Sequence, residues 1–350
     1  MSQEIAEIQG PAPPREYQLS FSGTASEYFR IWIVNLALSI ATLGIYSAWA
    51  KVRRKRYFYS QTSLDGEPFE YTGQPVAILK GRVLAVIVAA AAYAASHYSW
   101  KLLVVMLAVA VFVFPWLVVR SYAFNAYNTT YRGLRFRFSA TYWRCWRLTT
   151  GYGLLTIVTF GLGWFYFKTR LTEFVVRNHA YGATPFTVPD LKKIFFGYYG
   201  KMVGLGILGG IVLSATVFSI VSQVGQPRHD SPWAYVINSL SYVMYLGIFA
   251  YIRSRILNAT YNNMELGDVR FRSTLGGWKL YGLYAVNILA IIFTLGLATP
   301  WAVIRTLRYR AECMTVVAPM GFDHFEAAPA TNVAAAGEEV GEMLDVDFSL

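Results

Sequence analysis

The sequence predicts an all-α polytopic membrane protein in which internal repeats of an apolar helix plus a basic interfacial helix carry short cytoplasmic β-strand pairs. Three observations lead there. Of 350 residues, 55% are hydrophobic, 17% aromatic and only 15% charged, with a positive mean hydropathy, which lies outside the soluble globular range. One block occurs three times: TLGIYSAWAKVR from Thr42, TFGLGWFYFKTR from Thr159 and TLGLATPWAVIR from Thr294. Each copy ends an apolar stretch and turns abruptly basic, as a membrane helix does on reaching a charged interface. Strand-like segments with alternating aromatics flank each copy, YQLSFSG, LRFRFSA and VRFRSTL before it and GEPFEYTG, GATPFTV and GFDHFE after it.

These signals divide the chain. Residues 1–16 read as a flexible tail, polar and proline-punctuated, with no apolar core of a secretory signal. Residues 17–76, 126–189 and 259–326 are repeat units 1, 2 and 3. Residues 77–125 and 190–258 are transmembrane helical hairpins, each a pair of apolar blocks around a short polar tip, HYSWK at His97 and GQPRHDSP at Gly225. Both run into related text, RSYAFNA at Arg120 and RSRILNA at Arg253. Residues 327–350, acidic among Ala and Gly and without Lys or Arg, read as a disordered tail.

Within each block Gly44, Gly161 and Gly296 can break a helix, and Thr299-Pro300, with Ser47 in the first copy, offers an N-cap for a new one. The break permits a re-entrant arrangement. If only the hairpins cross and the repeated blocks return to one face, the basic residues flanking the blocks divide 27 against 2; seven crossings would divide them far more evenly. The first division fits the positive-inside tendency, with basic loops and both termini cytoplasmic. Seven crossings and inverted repeats remain the alternative.

Asn35 and Asn287 stand seven residues before the repeated Thr in units 1 and 3, where unit 2 has Tyr152. A carboxamide in an apolar helix needs a partner, so these residues either hold helices together or line a pathway. Arg53, Arg170 and Arg305 repeat on the basic side, with Lys51 and Lys168 nearby, and are candidate contacts for anionic lipid or another anion. The net charge of +11 follows the membrane flanks and points to lipid, not nucleic acid. Four histidines without ligand spacing, two separated cysteines and the lack of a nucleotide-binding loop give no metal, cofactor or enzyme signature.

The segments FSGTASEYFRIW at Phe21, TLGIYSAWAKVRRKRYFYSQT at Thr42, NAYNTTYRGLRFRF and TLGLATPWAVIRTLRYR resemble the YjgN-like family of bacterial inner-membrane proteins. The resemblance implies an inner-membrane location and a cytoplasmic basic face. It brings no catalytic or ligand-binding residues. Two functions stay open: a transporter or channel for a small solute or lipid-like ligand, suggested by repeats and broken helices, and a non-transporting scaffold or lipid-interacting protein. The lack of intramembrane acids counts against proton coupling.

Overall fold

Strands of two to five residues can neither pair their backbone groups nor bury an apolar face alone. The computed structural model, which describes residues 15–224 and 232–327, shows how this chain satisfies them. The strands are β1 (Arg15–Gln18), β2 (Ser20–Phe21), β3 (Thr62–Leu64), β4 (Glu67–Tyr71), β5 (Thr129–Tyr131), β6 (Leu134–Phe138), β7 (His179–Tyr181), β8 (Thr184–Thr187), β9 (Glu265–Leu266), β10 (Val269–Ser273) and β11 (Met314–Ala318). They form one antiparallel sheet in the order β1-β11-β10-β9-β8-β7-β6-β5-β4-β3-β2. The two ends of that order belong to one stretch of chain, interrupted only at Leu19, whose N–H donates to the Met314 carbonyl at 3.1 Å. That one stretch bridges β11 and β3, so the sheet curls round into a near-closed barrel with little edge left open.

This overturns the all-α expectation and the local pairing it assumed. The strand pairs expected within each unit would join Tyr17–Ser22 to Glu67–Thr72; instead Tyr17–Gln18 pair with β11 and Ser20–Phe21 with β3, while β4 lies between β3 and β5. GFDHFE forms no strand. The alternating aromatics mark a face to be buried, as read, but strands this short bury it only in a shared, near-closed sheet. The tail at residues 1–14, the tip around His229 and the acidic tail from residue 328 onward lie outside the described residues.

Helices fill the long connections: α1 (Ala25–Ala41) with α2 (Ser47–Ser60), α3 (Pro75–Tyr98) with α4 (Trp100–Tyr127), α5 (Tyr142–Trp146), a π-helical turn (Arg147–Gly151) and α6 (Tyr152–Val158) with α7 (Gly163–Asn178), α8 (Lys192–Val224) with α9 (Pro232–Asn262), and α10 (Gly277–Phe293) with α11 (Thr299–Glu312). Each of these helical excursions joins two strands paired with each other: β2 with β3, β4 with β5, β6 with β7, β8 with β9 and β10 with β11. Both ends of each excursion are thus held at one rim. The opposite rim carries two-residue turns, set by Leu64 facing Glu67, Tyr131 facing Leu134, Tyr181 facing Thr184 and Leu266 facing Val269. Among the described residues, Pro75–Tyr98, Trp100–Tyr127 and Lys192–Thr216 are long and apolar enough to cross a membrane, whereas Gly277–Phe293 is shorter.

The repeated block is a helix break built the same way three times. Leu43, Phe160 and Leu295 each have φ of 50°, followed by Gly44, Gly161 and Gly296 at 91°, 95° and 93°, where a Cβ would be strained. The glycine N–H reaches back to the carbonyls of Ser39, Thr156 and Ile291 at 2.7, 2.8 and 2.7 Å, ending the first helix. The repeated threonine then bridges the break. Thr294 Oγ1 donates to the Ala290 carbonyl at 2.7 Å and accepts from the Ala298 N–H at 2.9 Å; Thr42 and Thr159 do the same with Leu38 and Tyr46, and with Leu155 and Gly163. Thr294, not Thr299, is therefore the capping acceptor, and the Thr299 and Ser47 hydroxyls donate to the Gly296 and Gly44 carbonyls instead. At each tip Leu43, Phe160 and Leu295 are almost fully exposed, an arrangement suited to apolar surroundings.

The barrel interior is filled with rings. Phe69 stacks on Tyr131 at 4.8 Å, Phe136 contacts Tyr181 at 5.0 Å and Phe186 lies 6.0 Å from Phe271. The segment after β11 seals the turn-bearing rim. Phe322 inserts between Tyr17 and Tyr131 at 5.4 and 5.6 Å, and Phe325 meets Tyr181 at 5.2 Å. The segment also engages three of the four turns and reaches the fourth through Arg132: Asp323 joins Arg132 at 2.8 Å, which joins Asp65 at 2.5 Å, the Ala183 N–H donates to the Glu326 carbonyl at 3.0 Å, and His324 meets Asp268 at 3.1 Å. A side chain on Gly182 would collide with that Glu326 carbonyl.

Two outcomes follow from this packing. Phe322→Ala, which empties a buried ring site, is expected to lower stability by about 3 kcal/mol or more, read as an earlier denaturant midpoint in near-ultraviolet circular dichroism. Burial pushes the Tyr131 hydroxyl up to about 12, against the pull of Arg132. An unfolded tyrosine ionises near 10, so the folded state is favoured undiminished below that value. Stability is expected to fall as pH rises from about 10 to 12, measured by equilibrium unfolding across that range.

Candidate functional site

The two matched asparagines do not meet in one pathway; each ties the limbs of its own broken hairpin. Asn287 Nδ2 donates to the Ala302 carbonyl at 3.1 Å and to Thr306 Oγ1 at 3.0 Å, joining α10 to α11. Asn35 Nδ2 reaches the Ala50 carbonyl at 3.4 Å, joining α1 to α2. The break lies midway between donor and acceptor, so the bond can form only if the second helix folds back along the first. Both carboxamides are buried, and their Oδ1 atoms have no protein donor among the described residues. In unit 2 a ring contact takes this place, with Tyr152 edge-on to Tyr166 at 5.0 Å.

The repeated arginines separate likewise. Arg53 is exposed on α2. Arg305 stacks on Trp301 at 5.1 Å and lines a cavity of about 650 Å³ with Lys279 and Arg308, between α1, α10 and α11. Arg170 lines a different cavity. Lys51 is buried on α2 and Lys168 half-buried on α7. The buried Lys55 Nζ donates to Asn125 Oδ1 at 2.7 Å and lies 5.2 Å from the Tyr71 ring. The lysines are thus drawn toward the protein, and the three arginines do not surround one ligand.

The cavity holding Arg170 has a volume of about 460 Å³. Four arginines line it, Arg144 and Arg147 from one wall and Arg170 and Arg177 from α7, together with Leu148, Tyr152, Glu173, Phe174 and Asn178. Local structure aims them. Arg144 and Arg147 are three apart where α5 passes into the π-helical turn, and Arg170 and Arg177 are seven apart on α7, so each pair shares a helix face. The π turn occurs in this unit alone among the described residues; such turns often mark functional sites.

Glu173 orients the α7 wall. It is buried, pairs with Arg170 at 2.8 Å and accepts the Leu191 N–H at 2.8 Å. Burial opposes the charge on Arg170, but the Tyr166 hydroxyl and the Glu173 carboxylate outweigh it and raise its pKa. Arg177 Nε donates to the Val188 carbonyl at 3.1 Å. The Arg144 and Arg147 side chains make no hydrogen bond or ion pair with the described residues. The sequence reading found Arg170 but missed Arg144, Arg147, Glu173 and Arg177. A signal was present: fourteen residues after the repeated threonine, units 1 and 3 have Arg56 and Arg308, while unit 2 has Glu173.

A near-closed antiparallel barrel bearing broken apolar hairpins and long apolar hairpins on one rim defines the class, a helical membrane protein organised by a small sheet. The chain belongs to the family described as "Bacterial protein of unknown function (DUF898)", whose model matches residues 16–343. It is similar to the "Inner membrane protein YjgN" of Salmonella typhimurium, 26% identical over 199 residues, 57% of this chain and 47% of the relative. It is also similar to the protein of that name from Escherichia coli O157:H7, 25% identical over 288 residues, 77% of this chain and 66% of the relative. The chain thus covers less than two thirds of these relatives' length. No solved structure matches it.

The two asparagines are expected to differ in worth. Asn287→Leu should cost about 1 kcal/mol, the usual size of an intramembrane hydrogen-bonding contribution, and Asn35→Leu measurably less, because one 3.4 Å bond replaces two of 3.1 and 3.0 Å. Thermal melts in detergent would check the order. Equal losses would mean that the additional bond of Asn287 to Thr306 carries no weight.

Proposed function

We propose that this is a multi-pass inner-membrane protein that conducts no solute, and that holds a sealed barrel against the cytoplasmic face while its basic helices contact anionic lipid. The observation that carries this reading is the filled barrel: the rings of Phe69, Tyr131, Phe136, Tyr181 and Phe186 occupy the axis, and Phe322 and Phe325 close the far rim. A conducting path down that axis would have to displace several buried aromatic side chains, each contributing kilocalories of burial. The asparagines that suggested a polar lining are used across the helix breaks.

The orientation follows from charge and connectivity together. Every excursion starts and ends at the same rim, so the barrel stays on one side of the bilayer, and the side rich in Lys and Arg is the cytoplasmic one. The exposed tips at Leu43, Phe160 and Leu295 then dip into the apolar layer, while α3 and α4 cross it as a pair and α8 with α9 do the same. Arg53, Arg170, Arg305, Lys51 and Lys168 fall at or near headgroup level, where basic residues gain from anionic lipid.

Thiol labelling in intact cells tests the arrangement. In a background with Cys313→Ser, a cysteine replacing Ser99 at the α3–α4 tip should react with an impermeant reagent from the periplasm. One replacing the exposed Glu67 on β4 should react only after permeabilisation. Labelling of the Glu67 position from outside would defeat the orientation. Glycerol-driven swelling of proteoliposomes no faster than that of protein-free vesicles is the expected result for conduction, and rapid swelling would contradict the sealed barrel.

A further inference from the structure

We infer that the arginine cavity of unit 2 is a binding site for a ligand bearing a phosphate monoester, which deepens the lipid-contacting reading and rests on it only where the phosphate belongs to a lipid. Four guanidinium groups and one carboxylate line about 460 Å³, a size within the range of small-molecule sites and larger than inorganic phosphate needs. The carboxylate is already committed: Glu173 is held by Arg170 and by the Leu191 N–H. It fixes the α7 wall and does not cancel the opposite one. The formal balance of the lining is therefore +3, against a charge of about −1.5 to −2 on a phosphate monoester at neutral pH.

The donors have the right form. Guanidinium pairs bidentately with phosphate oxygens, and such charge-assisted bonds are about twice as strong as neutral ones. The Arg144 and Arg147 side chains have no protein partner among the described residues, and Arg177 uses only its Nε, on Val188, so its terminal nitrogens stay available. Tyr152 and Asn178 add polar groups for a headgroup or sugar, and Leu148 and Phe174 supply an apolar wall. Directly after the π turn, α6 exposes Leu154, Leu155, Ile157 and Val158 along the way to the hairpin tip. An acyl chain attached to a phosphate in the cavity would have that face to follow. Units 1 and 3 lack the constellation, since Arg144 corresponds to Glu27 and Lys279, and Arg147 to Arg30 and Gly282.

Calorimetric titration of the full chain in zwitterionic nanodiscs tests the site, with short-chain phosphatidic acid as the monoester, phosphatidylglycerol as the diester and glycerol phosphate as the soluble monoester. Phosphatidic acid is expected to bind at least about tenfold more tightly than phosphatidylglycerol. The double change Arg144→Gln and Arg147→Gln should remove that preference at an unchanged melting temperature, since both side chains are exposed. Arg270→Gln with Arg272→Gln, an equal loss of charge on the exposed face of β10, should keep it. Competition by glycerol phosphate at similar affinity would support the site with a soluble ester as its ligand; binding of the lipid alone would support it with a headgroup. No monoester preference in the unmodified chain, or equal loss in both double variants, would overturn the proposal. Proteoliposome swelling and thiol labelling are independent of these outcomes, so the sealed-barrel reading and the site can fail separately.

Discussion

The closure of the sheet by Arg15–Phe21 is the constraint on which the rest depends. This stretch pairs with β11 on one side and β3 on the other, joining the first and last parts of the chain. Without it, strands of two to five residues would present two open edges and a half-covered aromatic face, conditions under which so small a sheet has little independent stability. With it, each helical excursion is anchored at both ends to a paired couple of strands. The membrane segments are thereby arranged around a common base, and no membrane helix needs to specify its neighbours alone.

The repeated Thr-x-Gly break solves a second problem at the other end of the molecule. A helix that must turn back inside apolar surroundings leaves carbonyl and N–H groups without partners, and these are costly away from water. The threonine hydroxyl answers both sides, donating to the last turn of the first helix and accepting from the opening turn of the second, while the glycine at positive φ reverses the chain. Asn35 and Asn287 then pin the two limbs further down. The polar residues inside the apolar blocks are thus explained by the backbone they satisfy.

Unit 2 keeps the break but changes what surrounds it. Tyr152 and Tyr166 replace the amide bond with a ring contact, a π turn replaces regular helix, and Glu173 stands where the other units carry arginine. A repeat relieved of strict equivalence can specialise, and this unit gathers its arginines around a cavity. The outer repeats contribute a different cavity between them, built from α1, α10 and α11.

Much of the local architecture was legible in the residues. The boxes at Thr42, Thr159 and Thr294 revealed the helix breaks because a Leu-Gly or Phe-Gly step after threonine is a short-range signal, complete within about ten residues. The apolar blocks revealed long hairpins, and the segments LRFRF and VRFRS revealed strands. Pairing was not legible. Alternation in YQLSF tells which side of a strand is buried but not which strand lies beside it, and the partner Met314–Ala318 is nearly the whole chain away. Likewise the sequence marked Asn35 and Asn287 as needing partners, yet the carbonyls of Ala50 and Ala302 come within reach only when each hairpin folds back. Nothing in the local sequence joins Arg144 and Arg147 to a site; α7 does so by placing Arg170 and Arg177 across from them. The sequence alone thus determined which groups must be buried, broken or charged, because those demands are local; the tertiary structure decided which distant group meets each demand.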